Sequence, residues 1–311
     1  MVEEHKTLRI RPPIWSLLLA LLPVLAAGCS MKTRYAVRKE EIRPQKEASQ
    51  EQLIAAYNQQ ARAVRSLQAT VDLVPSTGSA YSGVIEEYHD VSGFILAQRP
   101  ALVRVIGQAP VVATNIFDMV SDGKIFRIFI PSKNVFLVGQ TSLVRTSKKP
   151  IENLRPQHVV EALFWPVLTP DDTVLFEQFN ADPTRFYILT VLREGSDTKP
   201  EIARKLWFDR ADLQVSRMQL YGPAGRLESD ITYSDWEPID TTPGAAAGAF
   251  SPQTRFPREL HIWRPQDDYR LGIRITKLTA NETISADQFE LAQPSGTELV
   301  RVGEDTVGVQ P

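Results

Sequence analysis

From residue 68 onward, apolar positions in this chain recur mostly at every second residue. Such alternation puts the apolar side chains on one face of a half-buried strand. Candidate strands cover 68–74, 81–89, 92–98, 101–107, 115–121, 124–130 and 134–139, then, after an interruption, 173–179, 185–193, 201–209, 212–221, 226–236, 257–264 and 269–279. The alternation is clearest in Arg270-Leu271-Gly272-Ile273-Arg274-Ile275-Thr276, where Leu271, Ile273 and Ile275 share a face. Leu227, Ile231 and Tyr233 do the same in an earlier strand. Asp122-Gly123 between two such runs is a two-residue hairpin signal, and Asp209-Arg210-Ala211-Asp212 fits a longer turn. Consecutive strands joined by short turns predict an antiparallel meander, not βαβ units.

Two segments break the period of two. In Ser49–Leu67, Leu53, Ala56, Tyr57, Ala61, Val64 and Leu67 follow helical spacing, and Ser49 with Gln52 makes a capping box. In 155–166, Val159, Val160, Leu163 and Phe164 lie on one side of a short helix that Pro166 stops. A large, strongly curved sheet with at least two helices against its concave face is therefore expected. Residues 237–252 read as a low-complexity surface loop and 304–311 as a polar tail.

The N-terminus carries a different pattern. Lys6, Arg9 and Arg11 precede an almost wholly apolar run, Ile14–Ala27, which is short for a membrane span but long enough for a signal-peptide core. It ends in Leu25-Ala26-Ala27-Gly28-Cys29, small residues before the chain's single cysteine. A lipoprotein signal peptide (1–28), cleaved to leave an acylated Cys29, is the expectation; an ordinary secretory peptide with Cys29 as a bystander is the alternative. Residues 29–48 then form a charged tether, and 49–303 the folded body. Ser30, where an aspartate would act as an inner-membrane retention signal, favours the outer membrane's inner leaflet, facing the periplasm.

Composition narrows the chemistry. The 35 basic and 37 acidic residues are balanced and form no basic stripe, which argues against a nucleic-acid partner. His89, His158 and His261 form no convergent metal-ligand set, and no GxSxG, SxxK, Walker or GxGxxG motif occurs. Glu86-Glu87 and Asp171-Asp172 are adjacent carboxylates, which face opposite ways on a strand. No catalytic site, metal or cofactor is expected, beyond a covalent lipid on Cys29. What stands out is aromatic, and most of it reads as core. A long curved sheet with few helices across it can also leave an apolar cavity for a hydrocarbon ligand.

Several segments in order resemble the Lol-type lipoprotein carriers, the LolA/LolB superfamily. Val91-Ser92-Gly93-Phe94-Ile95-Leu96-Ala97-Gln98-Arg99-Pro100 is similar to that family's strand ending in Arg-Pro. Val120-Ser121-Asp122-Gly123-Lys124-Ile125-Phe126-Arg127-Ile128-Phe129-Ile130-Pro131 is similar to its hairpin. Phe289-Glu290-Leu291-Ala292-Gln293-Pro294-Ser295-Gly296-Thr297-Glu298-Leu299-Val300 is similar to its closing segment. Order and spacing agree across about residues 50–303, with extra length in the second half. The resemblance implies a mainly β (α+β) fold: a curved, incomplete antiparallel β-barrel, a half-barrel of about 11–14 strands with a few helices over its concave face. It implies an apolar cavity receiving acyl chains, for which Phe94, Leu96, Phe117, Phe126, Ile128, Phe164, Trp165, Leu271 and Ile273 are the candidate lining. It also implies a gate role for Arg99, which matches an arginine that hydrogen-bonds a helical lid. The expected function is lipid or lipoprotein transfer by a membrane-anchored protein whose partners are acyl chains and other envelope proteins. The rival class is a non-transferring envelope lipoprotein with the same fold and a filled cavity.

Overall fold

Ser49 caps the first helix as its sequence predicts: its Oγ accepts from the Gln52 N–H (3.3 Å) and Gln52 Oε1 accepts from the Ser49 N–H (2.8 Å). The computed structural model describes residues 44–79, 84–87, 91–109, 113–142, 153, 155–181, 184–195, 199–241 and 254–303. All lie in the second of two compact units, Arg43–Pro311. Helix α1 is Gln50–Ala63. Helical spacing continues in the sequence to Leu67, yet the chain turns extended at Val64. There Asn281 Oδ1 takes the Arg65 N–H (2.8 Å) and the Arg65 carbonyl accepts from the Arg99 N–H (2.9 Å), so tertiary partners replace helical ones.

The strands are β1 Ser66–Ser79, β2 Val84–Glu87, β3 Val91–Gln98, β4 Leu102–Gln108, β5 Asn115–Ser121, β6 Ile125–Ile130, β7 Val135–Gln140, β8 Thr173–Ala181, β9 Thr184–Glu194, β10 Pro200–Asp209, β11 Val215–Tyr221, β12 Leu227–Pro238, β13 Arg255–Arg264, β14 Tyr269–Ala280 and β15 Glu298–Val302; helix α2 is Pro156–Leu163. They form one 15-stranded curved sheet in the order β15-β7-β6-β5-β4-β3-β1-β14-β13-β12-β11-β10-β9-β8, with β2 paired to β1. Its ends, β15 and β8, do not meet, so this is a half-barrel and not a closed barrel.

A plain meander is not what forms. There are two meanders, β3–β7 and β8–β14, and the first strand joins them by pairing with both β3 and β14. Strand β15 is a further departure, pairing parallel to β7 at the edge. The predicted hairpin at Asp122-Gly123 joins β5 to β6: Gly123 has φ +86°, and Asp122 Oδ1 accepts from the N–H groups of Lys124 (2.8 Å) and Ile125 (2.7 Å).

Both helices lie on the concave face. Leu67, Val71 and Leu73 of β1, Val103 and Val105 of β4, Leu206 and Phe208 of β10, and Leu260 and Ile262 of β13 are buried there with Leu53 and Tyr57 of α1 and Val159 and Leu163 of α2. The convex face of β3–β7 is crossed by the chain after β14. Phe289 is buried, and the Gln288 carbonyl accepts from Arg104 Nη1 (3.0 Å), whose other nitrogens hold the buried Asp118 (2.7 and 3.0 Å). Gly296 (φ +77°) turns this strap, and Asn134 bonds both sides of the turn to start β15. The C-terminal segment singled out in the sequence is thus a belt that completes the sheet.

Candidate functional site

The last carbonyls of a helix have no partner within it. At the end of α1 they are taken by two side chains from distant strands. Arg99, just past β3, donates from Nη2 to the Ala61 carbonyl (2.7 Å) and from Nε to the Val64 carbonyl (3.0 Å). Asn281, just past β14, donates from Nδ2 to the Ala63 carbonyl (2.8 Å) and the Thr241 carbonyl (2.7 Å). The Arg99 Nη2 also reaches the Trp165 carbonyl (3.1 Å), and its guanidinium lies 4.9 Å from the Phe164 ring centroid. Arg99 therefore ties three pieces together: the end of β3, the end of α1, and the segment 164–168 that follows α2.

That segment is a lid held from both sides. Trp165 stacks on Tyr57 of α1 (5.5 Å, 7°) and meets Tyr233 (5.3 Å) and Trp236 (5.9 Å) edge-on. Its indole N–H donates to the Ala162 carbonyl (3.2 Å) and the Tyr233 hydroxyl (3.1 Å). Tyr57 donates to the Pro166 carbonyl (2.9 Å), and Asn58 pairs with both the N–H and the carbonyl of Leu168 at 2.7 Å. Burial pushes the Tyr57 hydroxyl up to about 12, against the pull of the Arg204 and Arg99 charges. The hydroxyl thus stays a neutral donor.

Of the nine candidate lining residues, Phe117, Phe126, Ile128, Phe164, Trp165, Leu271 and Ile273 pack together on the helix side of the sheet. Phe94 and Leu96 do not belong with them. They stand on the opposite face, where Phe94 is 44% exposed, because Val91, Ile95 and Ala97 take the concave side of β3. Among the described residues, side chains pack closely over the concave face. A Cβ on Gly107 would come within 2.4 Å of the Phe117 ring, and one on Gly139 within 2.6 Å of the Phe126 ring. Beside α1 a cleft of about 100 Å³ opens between Tyr57, Trp165, Phe208 and Leu213. A second, more open one of about 430 Å³ is lined by Arg65, Arg99, Asn281 and Ile284 among others. Ligand pockets span roughly 300–1,000 Å³ and are mostly apolar. An acyl chain therefore needs α1 and the lid to move.

Helix α2 is docked through a polar cluster. His158 is buried with Nδ1 against the Tyr269 hydroxyl, while Arg264 pairs with Asp267 (2.7 Å) and approaches Glu161 (3.9 Å), and Arg155 lies over Phe126. Burial, with the charges of Arg264 and Arg155, holds His158 well below its ordinary range, so it is neutral when folded. The unfolded chain takes a proton as pH falls through about 6.5 while the folded one does not, so stability is full above that pH and drops below it by up to ~1.4 kcal/mol per pH unit. Glu161, pushed up to about 7 by burial, acts in the opposite sense, but with 42% of its side chain exposed solvent screens most of that effect. We expect melting temperature to fall more between pH 7.5 and 5.5 in the wild type than in His158→Asn, by a few degrees for about 1 kcal/mol. Equal falls would clear His158 of the effect.

Asn281 and Asn58 carry no signal in the sequence pattern, while Tyr233 reads there only as a core residue of its strand. Asn281 adopts a left-handed backbone (φ +61°) just past a strand, a conformation that asparagine tolerates better than most residues. Cys29 and His89 lie outside the described residues, as do 1–43 and 304–311. The end of the segment read as a tether is bonded to the body: the Lys46 N–H donates to the Arg210 carbonyl (2.7 Å), and Glu47 meets Arg210 and the Tyr187 hydroxyl (2.8 Å). Among the described residues no helix is long and apolar enough to cross a membrane, and no group of three or more His, Cys, Asp or Glu is placed to hold a metal.

No protein-family model matches the chain, and no curated protein matches it. Solved structures do. A LolA superfamily protein from Nitrosomonas europaea is similar at 10% identity over 79% of this chain and 99% of that one, with TM-score 0.47. A DUF1329 family protein from Desulfovibrio piger is similar at 15% identity over 76% and 94%, also with TM-score 0.47. A domain named for outer membrane lipoprotein sorting, from Vibrio parahaemolyticus, is similar at 9% identity over 76% and 95%, with TM-score 0.45.

Proposed function

We propose that this chain is a membrane-anchored lipid-binding protein of the bacterial envelope, which shelters acyl chains on the concave face of its half-barrel during lipid or lipoprotein transfer. In this reading Cys29 carries the anchoring lipid, and the body faces the periplasm from the inner leaflet of the outer membrane. Its partners are acyl chains and other envelope proteins, and it catalyses no reaction. Each methylene moved out of water gains ~0.8 kcal/mol, so a lipid in transit needs such a shelter. The observation that carries the reading is the closure itself. A lid and a helix cover the apolar face, and one arginine holds both through three backbone carbonyls.

Charge-assisted hydrogen bonds of this kind contribute ~1–3 kcal/mol each, and losing the donor leaves the carbonyls unpaired. Arg99→Leu keeps bulk and removes every donor. It should bind a fluorescent fatty-acid analogue faster or to a greater extent than the wild type, with an unchanged circular dichroism spectrum. An unchanged binding curve with the fold intact would reduce Arg99 to a structural residue. The filled concave face supports a second reading, a structural or interaction lipoprotein that never opens, and absence of binding by both proteins would favour it. Native mass spectrometry separates the two independently: co-purifying lipid supports transfer, a bare mass the structural role.

A further inference from the structure

Several arginines reach the concave face, and most have partners. Arg99 is bonded to carbonyls, Arg264 to Asp267, and Arg155 lies over Phe126. Arg204 is the exception: among the described residues it has no hydrogen bond or ion pair. It sits on β10 after a bulge between Ile202 and Arg204, in phase with Leu206 and Phe208, whose side chains are buried in the core. Its neighbours across the sheet are Val191 on β9 and Leu220 on β11. Its Nε is buried and makes no hydrogen bond, and among the described residues it forms no ion pair. One strand further, opposite Leu220, Ser229 is wholly buried and its Oγ is also without a partner. Buried polar atoms in folded proteins are nearly always paired, so two orphans on one row of the concave face need a cause.

We propose that Arg204 is an anionic headgroup site: the carboxylate or phosphate of an amphiphile pairs with its guanidinium, with the Ser229 hydroxyl adding a donor, when acyl chains occupy the concave face. The inference rests on the acyl-binding reading above and deepens it by naming the cargo class, since a neutral chain would leave the guanidinium unpaired. A guanidinium matches both anions because its planar fork presents parallel N–H donors to two oxygens. The location suits a ligand that enters as the helix leaves. Arg204 is half-buried, with only its Nε fully enclosed, and its charge acts on the Tyr57 hydroxyl of α1, the helix that must move to admit a chain. With no protein partner to lose, Arg204→Met should fold as stably as the wild type.

The test uses the full chain in phosphatidylcholine nanodiscs and three photo-crosslinking probes of equal chain length: a diazirine fatty acid, its alcohol, and its alkyl phosphate. Labelled peptides are located by mass spectrometry. In the wild type the acid or the phosphate should label peptides of β9–β11 and α1 about tenfold more than the alcohol does. Whichever labels more identifies the headgroup. Arg204→Met should bring the anionic probes down to the alcohol's level, and Arg204→Lys should keep part of the preference. Equal labelling by acid, phosphate and alcohol in the wild type, or anionic labelling unchanged in Arg204→Met, overturns the headgroup site while leaving acyl binding in place. A less stable Arg204→Met shows a structural role instead. No labelling of these peptides by any probe removes both readings together.

Discussion

Trp165→Ala is expected to lower stability by ~3–5 kcal/mol, the range for truncating a buried tryptophan. Trp165 is 5% exposed and contacts three other aromatic rings, two of them edge-on and one stacked. Such pairs contribute ~0.5–1.5 kcal/mol beyond the area they bury. Its removal leaves a void where α1, the lid and β12 meet. The void is bounded by Tyr57 and Tyr233, whose hydroxyls remain tied to Pro166 and Ala162 and resist collapse into it. A drop in melting temperature on the order of 10 °C should follow. In urea the midpoint should fall with little change in slope, because the surface exposed on unfolding is nearly the same. Trp165→Phe keeps much of the apolar area, gives up the indole donor, and should lose roughly 1–2 kcal/mol. A Trp165→Ala protein that melts with the wild type would mean that the aromatic stack does not hold the lid.

Cys29→Ser should abolish incorporation of a metabolic fatty-acid probe altogether. The prediction is all-or-none because Cys29 is the single cysteine of the chain, so no second thiol can take the lipid. Its physical consequence follows from chain length. An acyl chain contributes ~0.8 kcal/mol per buried methylene, one chain anchors only marginally, and two or more hold a protein at a bilayer. With 35 basic against 37 acidic residues, the chain has no net positive charge to keep it at an anionic surface once the lipid is gone. The mutant should therefore accumulate as an uncut precursor or, if cut elsewhere, as a body released from the membrane fraction. Labelling at wild-type strength would sink the lipoprotein reading. The outcome is independent of the cavity, because a structural lipoprotein would need the same anchor.

Local order was legible in the sequence, because local order is set by neighbours along the chain. Every expected strand has a counterpart, since period-two alternation expresses burial on one side of a sheet and needs no knowledge of the partner strand. The Ser49/Gln52 box and the Asp122-Gly123 turn are contained within four residues and formed as read. Arg99 was singled out from the motif it closes, and the structure brings it to the backbone of the segment 155–166 that the sequence marked as the second helix.

What only the tertiary structure decided is which side and which neighbour. In Val91–Gln98 both alternating sets contain large apolar residues, so periodicity could not say that Phe94 and Leu96 face away from the helices. Packing on the helix side decides it: Val91, Ile95 and Ala97 join the core there, and Phe94 is left 44% exposed on the other face. The central place of β1, between strands that follow and strands that end the body, and the parallel pairing of β15 depend on contacts between segments far apart in sequence. The same holds for the filling of the concave face and for Asn281 beside Ala63. It holds for Arg204 too: its charge is written in the sequence, but its lack of a partner is a property of everything folded around it.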